Sequence, residues 1–166
     1  MILSFKEHFP WDDEYGHAVP TDFQQSIQRG LNKIVTRNGK NEAMRKVHTI
    51  RRGERYREGL RLQFATGPRF HKVVFEEAVC TGVEPIHMDI FRRRLLEVGG
   101  QASHVLQLGA VSDITRKKHL YDLGALACND GLSIDHFLRW FIADIIANGP
   151  LIGQIVHWTD LRYIKA

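Results

Sequence analysis

At 166 residues, 43% hydrophobic and 25% charged, the chain has the size and composition of one globular domain, not of a low-complexity or disordered segment. No apolar run approaches the roughly 20 residues of a membrane span, and residues 1–6 lack the features of a secretory leader, so a cytoplasmic, non-membrane setting is expected. The 23 Lys and Arg against 19 Asp and Glu leave a net charge of +4, which by itself selects no partner.

In chain order, Ile2, Leu3 and Phe5 predict a short first strand over residues 2–5. Residues 10–20, with Pro10, Gly16 and Pro20 among acids and aromatics, read as a loop. Thr21 or Asp22 can cap a helix over Phe23–Leu31, whose Phe23, Ile27 and Leu31 recur every four residues on one face. Residues 36–43 are a polar excursion around the turn Asn38-Gly39. Val47–Arg51, Leu60–Phe64 and Val73–Val79 are predicted strands. In the second, Leu60, Leu62 and Phe64 face one way while Arg61 and Gln63 face the other.

Residues 86–98 add one or two strands around Arg92, Arg93 and Arg94, whereas residues 99–118 carry glycines and no steady period. His119–Cys128 reads as a short helix. A longer one starts at the N-cap Ser133 and runs to about Ala147, with Ile134, Phe137, Leu138, Phe141 and Ile145 on its core stripe. Asn148-Gly149-Pro150 stops it, and a final strand falls within Gly153–Tyr163. Strands before and after helices, with few βαβ units, predict an α+β fold. Cys80 and Cys128 have neither metal nor disulfide-framework spacing, consistent with a reduced, intracellular setting.

The basic residues are unevenly spread. Arg45, Lys46, Arg51, Arg52, Arg55, Arg57 and Arg61 crowd one segment, and Arg69, His71 and Lys72 follow. Clustered Arg suits phosphate, because the planar guanidinium pairs bidentately with its oxygens. A solvated sheet face is the plainer alternative. Arg51, Arg52, Arg55, Arg57 and Lys72 are the candidate substrate or RNA contacts, with Tyr56 to stack on a base. Trp158 and Phe70 are further stacking candidates, and all three aromatics could equally belong to the core.

Chemistry concentrates at Lys46, Thr49 and Arg51. In one regular strand Lys46 and Thr49 would face opposite ways, so they converge only if Lys46 precedes the strand and reaches round its end. Threonine is a weak nucleophile that needs a base, and lysine serves as one where burial or like charges such as Arg45 and Arg51 destabilise its ammonium. Asp130, in the turn Asn129-Asp130-Gly131 just before a helix, is the carboxylate chosen to complete the set. Asp before Gly is also an ordinary turn pair, and threonine an ordinary strand residue.

Lys46-Val47-His48-Thr49-Ile50-Arg51 fits Lys-x-x-Thr-Ile-Arg and resembles the signature of the ASCH family, small PUA-like β-barrel domains associated with RNA. Arg55–Gly67 looks like the family's next strand, and Asp130-Gly131-Leu132 with the helix after it like its acidic loop and helix. The resemblance spans about two thirds of the chain. Some bacterial ASCH proteins are amidohydrolases that remove the acetyl group from the exocyclic amine of acetylcytidine. Their Lys, Thr and acidic residue fall at Lys46, Thr49 and Asp130, although their acid is Glu. Others are linked to RNA binding or cleavage.

The resemblance implies a single ASCH-like domain over residues 1–166, a small barrel flanked by helices, with an insertion around residues 32–45. Its cleft would bind a nucleoside or a single-stranded RNA base and hydrolyse acetylcytidine through Lys46, Thr49 and Asp130, with no cofactor. The competing class is a non-catalytic RNA or modified-base reader, and an RNA-cleaving enzyme is a further alternative. Nine histidines form no His-x-His, His-Glu-x-x-His or Cys/His pairing, so no metal is expected. His48 alternates with Thr49 and reads as a surface or packing residue. Ala127, Gly131 and Ser133 before Phe137 have helix-turn-helix spacing, but Asp135 and His136 would then head the DNA-reading helix, where Arg, Gln or Asn is expected.

Overall fold

The computed structural model describes residues 1–32, 45–68, 70–91, 105–111, 118–119 and 122–163. The expected insertion around 32–45, Arg69 and the run Arg92-Arg93-Arg94 thus lie wholly or mostly outside the described residues. The first third holds β1 (Ile2–Ser4), β2 (His8–Asp12), β3 (Ala18–Pro20) and α1 (Phe23–Gly30). Strands β4 (His48–Arg52), β5 (Arg61–Thr66), β6 (Val73–Val79), β7 (Gly82–Phe91), β8 (Val105–Val111) and β9 (Lys118–His119) follow. Two helices, α2 (Leu123–Asn129) and α3 (Ile134–Asn148), precede the last strand, β10 (Leu151–His157).

These elements form a mixed α+β fold with three sheets. One has the order β1-β5-β6, one β4-β10-β7-β8-β9, and β2 and β3 make a two-stranded ribbon. Among the described residues the sheets do not close into a barrel. β10 lies between β4 and β7 and is antiparallel to both, so the last strand locks the middle of the chain in place. No described helix is long and apolar enough to cross a membrane.

Residues 10–20 are mostly ribbon, not loop: prolines are tolerated where a strand has a free edge, and a two-stranded ribbon is all edge. Asp13 tightens the connection by accepting the Tyr15 and His17 amides at 2.9 and 2.8 Å. Asp22 is the N-cap of α1 but makes no side-chain cap bond, while the Thr21 hydroxyl donates to the Lys6 carbonyl at 2.6 Å. β7 begins at Gly82, ahead of the expected 86, and β10 at Leu151 rather than Gly153. Ile134 is exposed, so the buried stripe of α3 is Phe137, Phe141 and Ile145.

The N-cap expected at Ser133 is present: its hydroxyl accepts the His136 amide at 3.2 Å. The core joins the layers through aromatic contacts. Phe64 meets Phe5 at 5.9 Å and Trp158 at 4.8 Å between ring centroids, and Phe5 meets Phe23 at 6.0 Å. Each fully buried side chain of this size contributes about 1.5–3 kcal/mol from apolar burial. This packing seats α1 and the α2–α3 turn against the start of β4. The candidate site lies there.

Candidate functional site

Lys46 sits just ahead of β4 and is gripped from both sides. Its amide donates to the Ser26 carbonyl of α1 at 2.9 Å, and the Val47 amide donates to the Asn129 carbonyl, also at 2.9 Å. Lys46 and Asp130 face each other in an isolated antiparallel bridge. Two glycines permit the close approach. A Cβ at Gly30 would stand 2.2 Å from the Lys46 carbonyl oxygen, and one at Gly131 would stand 3.0 Å from the Lys46 Cβ. Gly131 also has φ +75°, which side chains rarely adopt.

So held, the Lys46 side chain is 1% exposed, and its Nζ donates to the Asp130 Oδ1 at 2.5 Å and the Asp130 carbonyl at 2.6 Å. The Phe23 and Phe5 rings lie 4.5 and 5.7 Å from Nζ, replacing part of the lost hydration with cation–π attraction. Burial, opposed by the pull of Asp130 and helped by the charge of Arg51, lowers the Lys46 ammonium from its ordinary 10.5 to about 8. Burial likewise raises Asp130 above the usual carboxylate range, with Lys46 pulling the other way. A desolvated lysine of this kind can exchange a proton near neutral pH.

Lys46, Thr49, Arg51 and Asp130 all line one cavity of about 570 Å³. Phe5, Phe23, Trp140 and Phe141 supply its aromatic wall, and the volume suits a small organic ligand. Arg51 is half-buried; its Nη2 donates to the Ser4 carbonyl at 3.0 Å and its guanidinium carbon lies 5.0 Å from the Phe5 ring. Its Nε is buried without a hydrogen bond among the described residues.

The remaining predicted contacts do not line this cavity. The Arg52 guanidinium turns to the end of α3, donating to Asp144 Oδ2 at 2.7 Å and to the Pro150 and Gly149 carbonyls at 2.6 and 3.1 Å. Tyr56 is a core residue, 7% exposed, whose amide and carbonyl both bond the Gln154 side chain. Arg55, Arg57 and Lys72 are exposed. Trp158 is buried against Phe64, while Phe70 is 86% exposed. At the start of α3 Ile134 and Asp135 are exposed, but His136 packs at 4.6 Å on Phe9 and 6.1 Å on Trp11 of the ribbon and is not free to read a DNA groove. Among the described residues no three His, Cys, Asp or Glu side chains gather as a metal site would require.

The aromatic wall and the residues behind Asp130 were not singled out as site residues. Phe5 and Phe23 read only as core periodicity, and nothing local in sequence ties Tyr163 or Asn129 to residue 48. No protein family, curated protein or solved structure matches the chain. The site's own geometry is a hydroxyl, a buried amine of lowered basicity, a carboxylate and a guanidinium on one aromatic-walled cavity.

Proposed function

We propose that this is an ASCH-like, PUA-like domain whose cavity binds a nucleoside or single-stranded RNA base and hydrolyses the amide of acetylated cytidine. The observation that carries it is that Asp130, 84 residues from Lys46 in sequence, joins Lys46, Thr49 and Arg51 of one short segment on a single cavity. Thr49 Oγ1 attacks the acetyl carbonyl while Lys46 takes the hydroxyl proton. The C–N bond breaks, the cytidine amine leaves with a proton returned from Lys46, and the acetyl group stays on Thr49. Water then attacks that ester, releasing acetate and restoring the hydroxyl. Asp130 keeps Lys46 aimed, Arg51 binds the carbonyl or base oxygen, and the aromatic wall packs on the ring.

A second reading is favoured by one specific observation. The Asp130 carbonyl and Oδ1 both already hold the Lys46 ammonium, which suits a fixed cation that reads a base rather than a proton acceptor. The two readings part on paired variants. In the enzyme, Thr49→Ala abolishes turnover and leaves nucleoside affinity nearly intact, because only a small hydroxyl is lost. In the reader there is no turnover, and Arg51→Ala weakens nucleoside binding far more than Thr49→Ala. Calorimetric titration with acetylcytidine and cytidine, beside product analysis, distinguishes them.

A further inference from the structure

Behind Asp130, away from the cavity, runs a line of polar groups, buried at His48 and half-buried at Tyr163 and Asn129, that the proposed reaction does not use. His48, fully buried, presents Nδ1 to the Asp130 Oδ1 at 3.7 Å and its Nε2 to the Tyr163 hydroxyl at 2.7 Å. The Asn129 amide donates to the same hydroxyl at 2.9 Å. Tyr163 is itself held by its backbone, whose N–H donates to the Glu84 carboxylate at 2.9 and 3.1 Å. Glu84 is in turn fixed by His157 Nε2 at 2.7 Å, and His157 lies directly opposite His48 in the β4–β10 ladder, with ring centroids 5.6 Å apart.

The direction of the protons follows from hydrogen-bond chemistry. A bare Nδ1 lone pair facing a carboxylate oxygen would be repelled, so Nδ1 carries hydrogen. Burial, then the Lys46 and His157 charges, hold His48 neutral, which leaves Nε2 as an acceptor. Tyr163 must then donate to Nε2, and its hydroxyl accepts from Asn129. Burial raises Tyr163 well above its ordinary value, which keeps the proton needed for that bond. Every donor therefore points along the line towards Asp130. At 3.7 Å the last step is an electrostatic approach rather than a hydrogen bond, and among the described residues Nδ1 has no hydrogen-bond partner.

We propose that Asn129, Tyr163 and His48 form a positioning relay that holds the Asp130 carboxylate ionised and oriented towards Lys46. Its consequence for turnover rests on the amidohydrolase reading; the relay itself does not. A line of apolar side chains would fill the same space at lower desolvation cost, and buried polar networks of this kind accompany groups whose proton affinity is being set.

The test uses the unliganded chain. Long-range ¹⁵N spectra of the wild type are expected to show His48 protonated on Nδ1 and unprotonated on Nε2; protonation on Nε2 overturns the relay without needing any variant to fold. The Asp130 carboxyl titration, followed by ¹³C, then separates two isosteres. His48→Asn keeps a donor near Nδ1 but loses the Tyr163 bond, so the Asp130 step moves no further than in Tyr163→Phe. His48→Gln keeps one near Nε2 only, and the step moves to higher pH, as it also does in Tyr163→Phe to a smaller extent. Equal titrations in wild type and His48→Gln overturn the proposal. If the relay passes and acetylcytidine is not hydrolysed, only the amidohydrolase reading fails.

Discussion

The buried ammonium of Lys46 leaves a signature in stability. Its folded value of about 8 lies below the ordinary 10.5, so between those two pH values the unfolded chain binds more protons than the folded one. Stability must therefore rise as pH increases through that window, by on the order of 3 kcal/mol if the whole depression is expressed. Below pH 8 both states hold the proton and the burial penalty is fully present. Asp130 acts in the opposite sense. Raised above 3.8, it makes the folded state the better proton binder just above that pH, so stability falls there as pH rises. Urea unfolding at stepped pH is expected to show a trough around neutrality and a recovery towards pH 10 that Lys46→Met removes. A wild-type curve flat from pH 8 to 10 contradicts the buried, weakened ammonium. At this scale the sequence was informative about Lys46, Thr49 and Asp130 because their residue types and order are distinctive. It was silent about His48 and Tyr163, whose meeting depends on β10 pairing with β4 and on the turn after it.

Elements bring these residues together through close backbone contacts rather than through side-chain recognition. Gly30 ends α1 where the Lys46 carbonyl passes, and a methyl group there would overlap backbone. Gly30→Ala, otherwise favourable in a helix, is thus expected to destabilise the fold by about 1–3 kcal/mol and to displace Lys46 from Asp130. Thermal unfolding measures the first effect and the wild-type pH recovery, lost or reduced, reports the second. An Ala variant as stable as wild type would show that α1 does not set the position of Lys46. Strong local signals made some elements legible: Phe23 and Ile27 in α1 with Leu31 at its C-cap, Ser133 before α3, and the alternation Leu62-Gln63-Phe64 in β5. The ribbon of β2 and β3 was hidden because Pro10 and Pro20 argue against strand wherever an edge is not known to be free. Pro85 obscured the start of β7 in the same way; among the described residues β8 pairs with β7 only from His87 onward, so Pro85 has β10 as its ladder neighbour. Arg52 looked like a phosphate contact because nothing in sequence announces the carbonyls it meets at the end of α3.

Across the whole molecule the charge is modest, and what matters is which cations remain exposed. Arg52 and Arg61 are exposed but paired with Asp144 and Glu77, and Arg55, Arg57 and Lys72 are exposed as well. If single-stranded RNA is the natural context of the base, its affinity falls steeply as salt rises, and Arg55→Ala with Arg57→Ala flattens that slope by roughly two phosphate contacts' worth of counterion release. An unchanged slope would place the RNA elsewhere, and no binding at low salt would favour a free nucleoside. The α+β class was legible from the order of strands and helices, but the pairing of strands was not, since β10 must return from the far end of the chain to lie between β4 and β7. That return is what turns a short motif into a walled cavity. The central claim is that the cavity is catalytic, and liquid chromatography of purified protein with acetylcytidine tests it most directly. Cytidine and acetate are expected in equal amounts from the wild type, and none above background from Thr49→Ala at equal nucleoside occupancy. Tight nucleoside binding with no cytidine formed at high protein concentration would contradict the amidohydrolase and leave a reader.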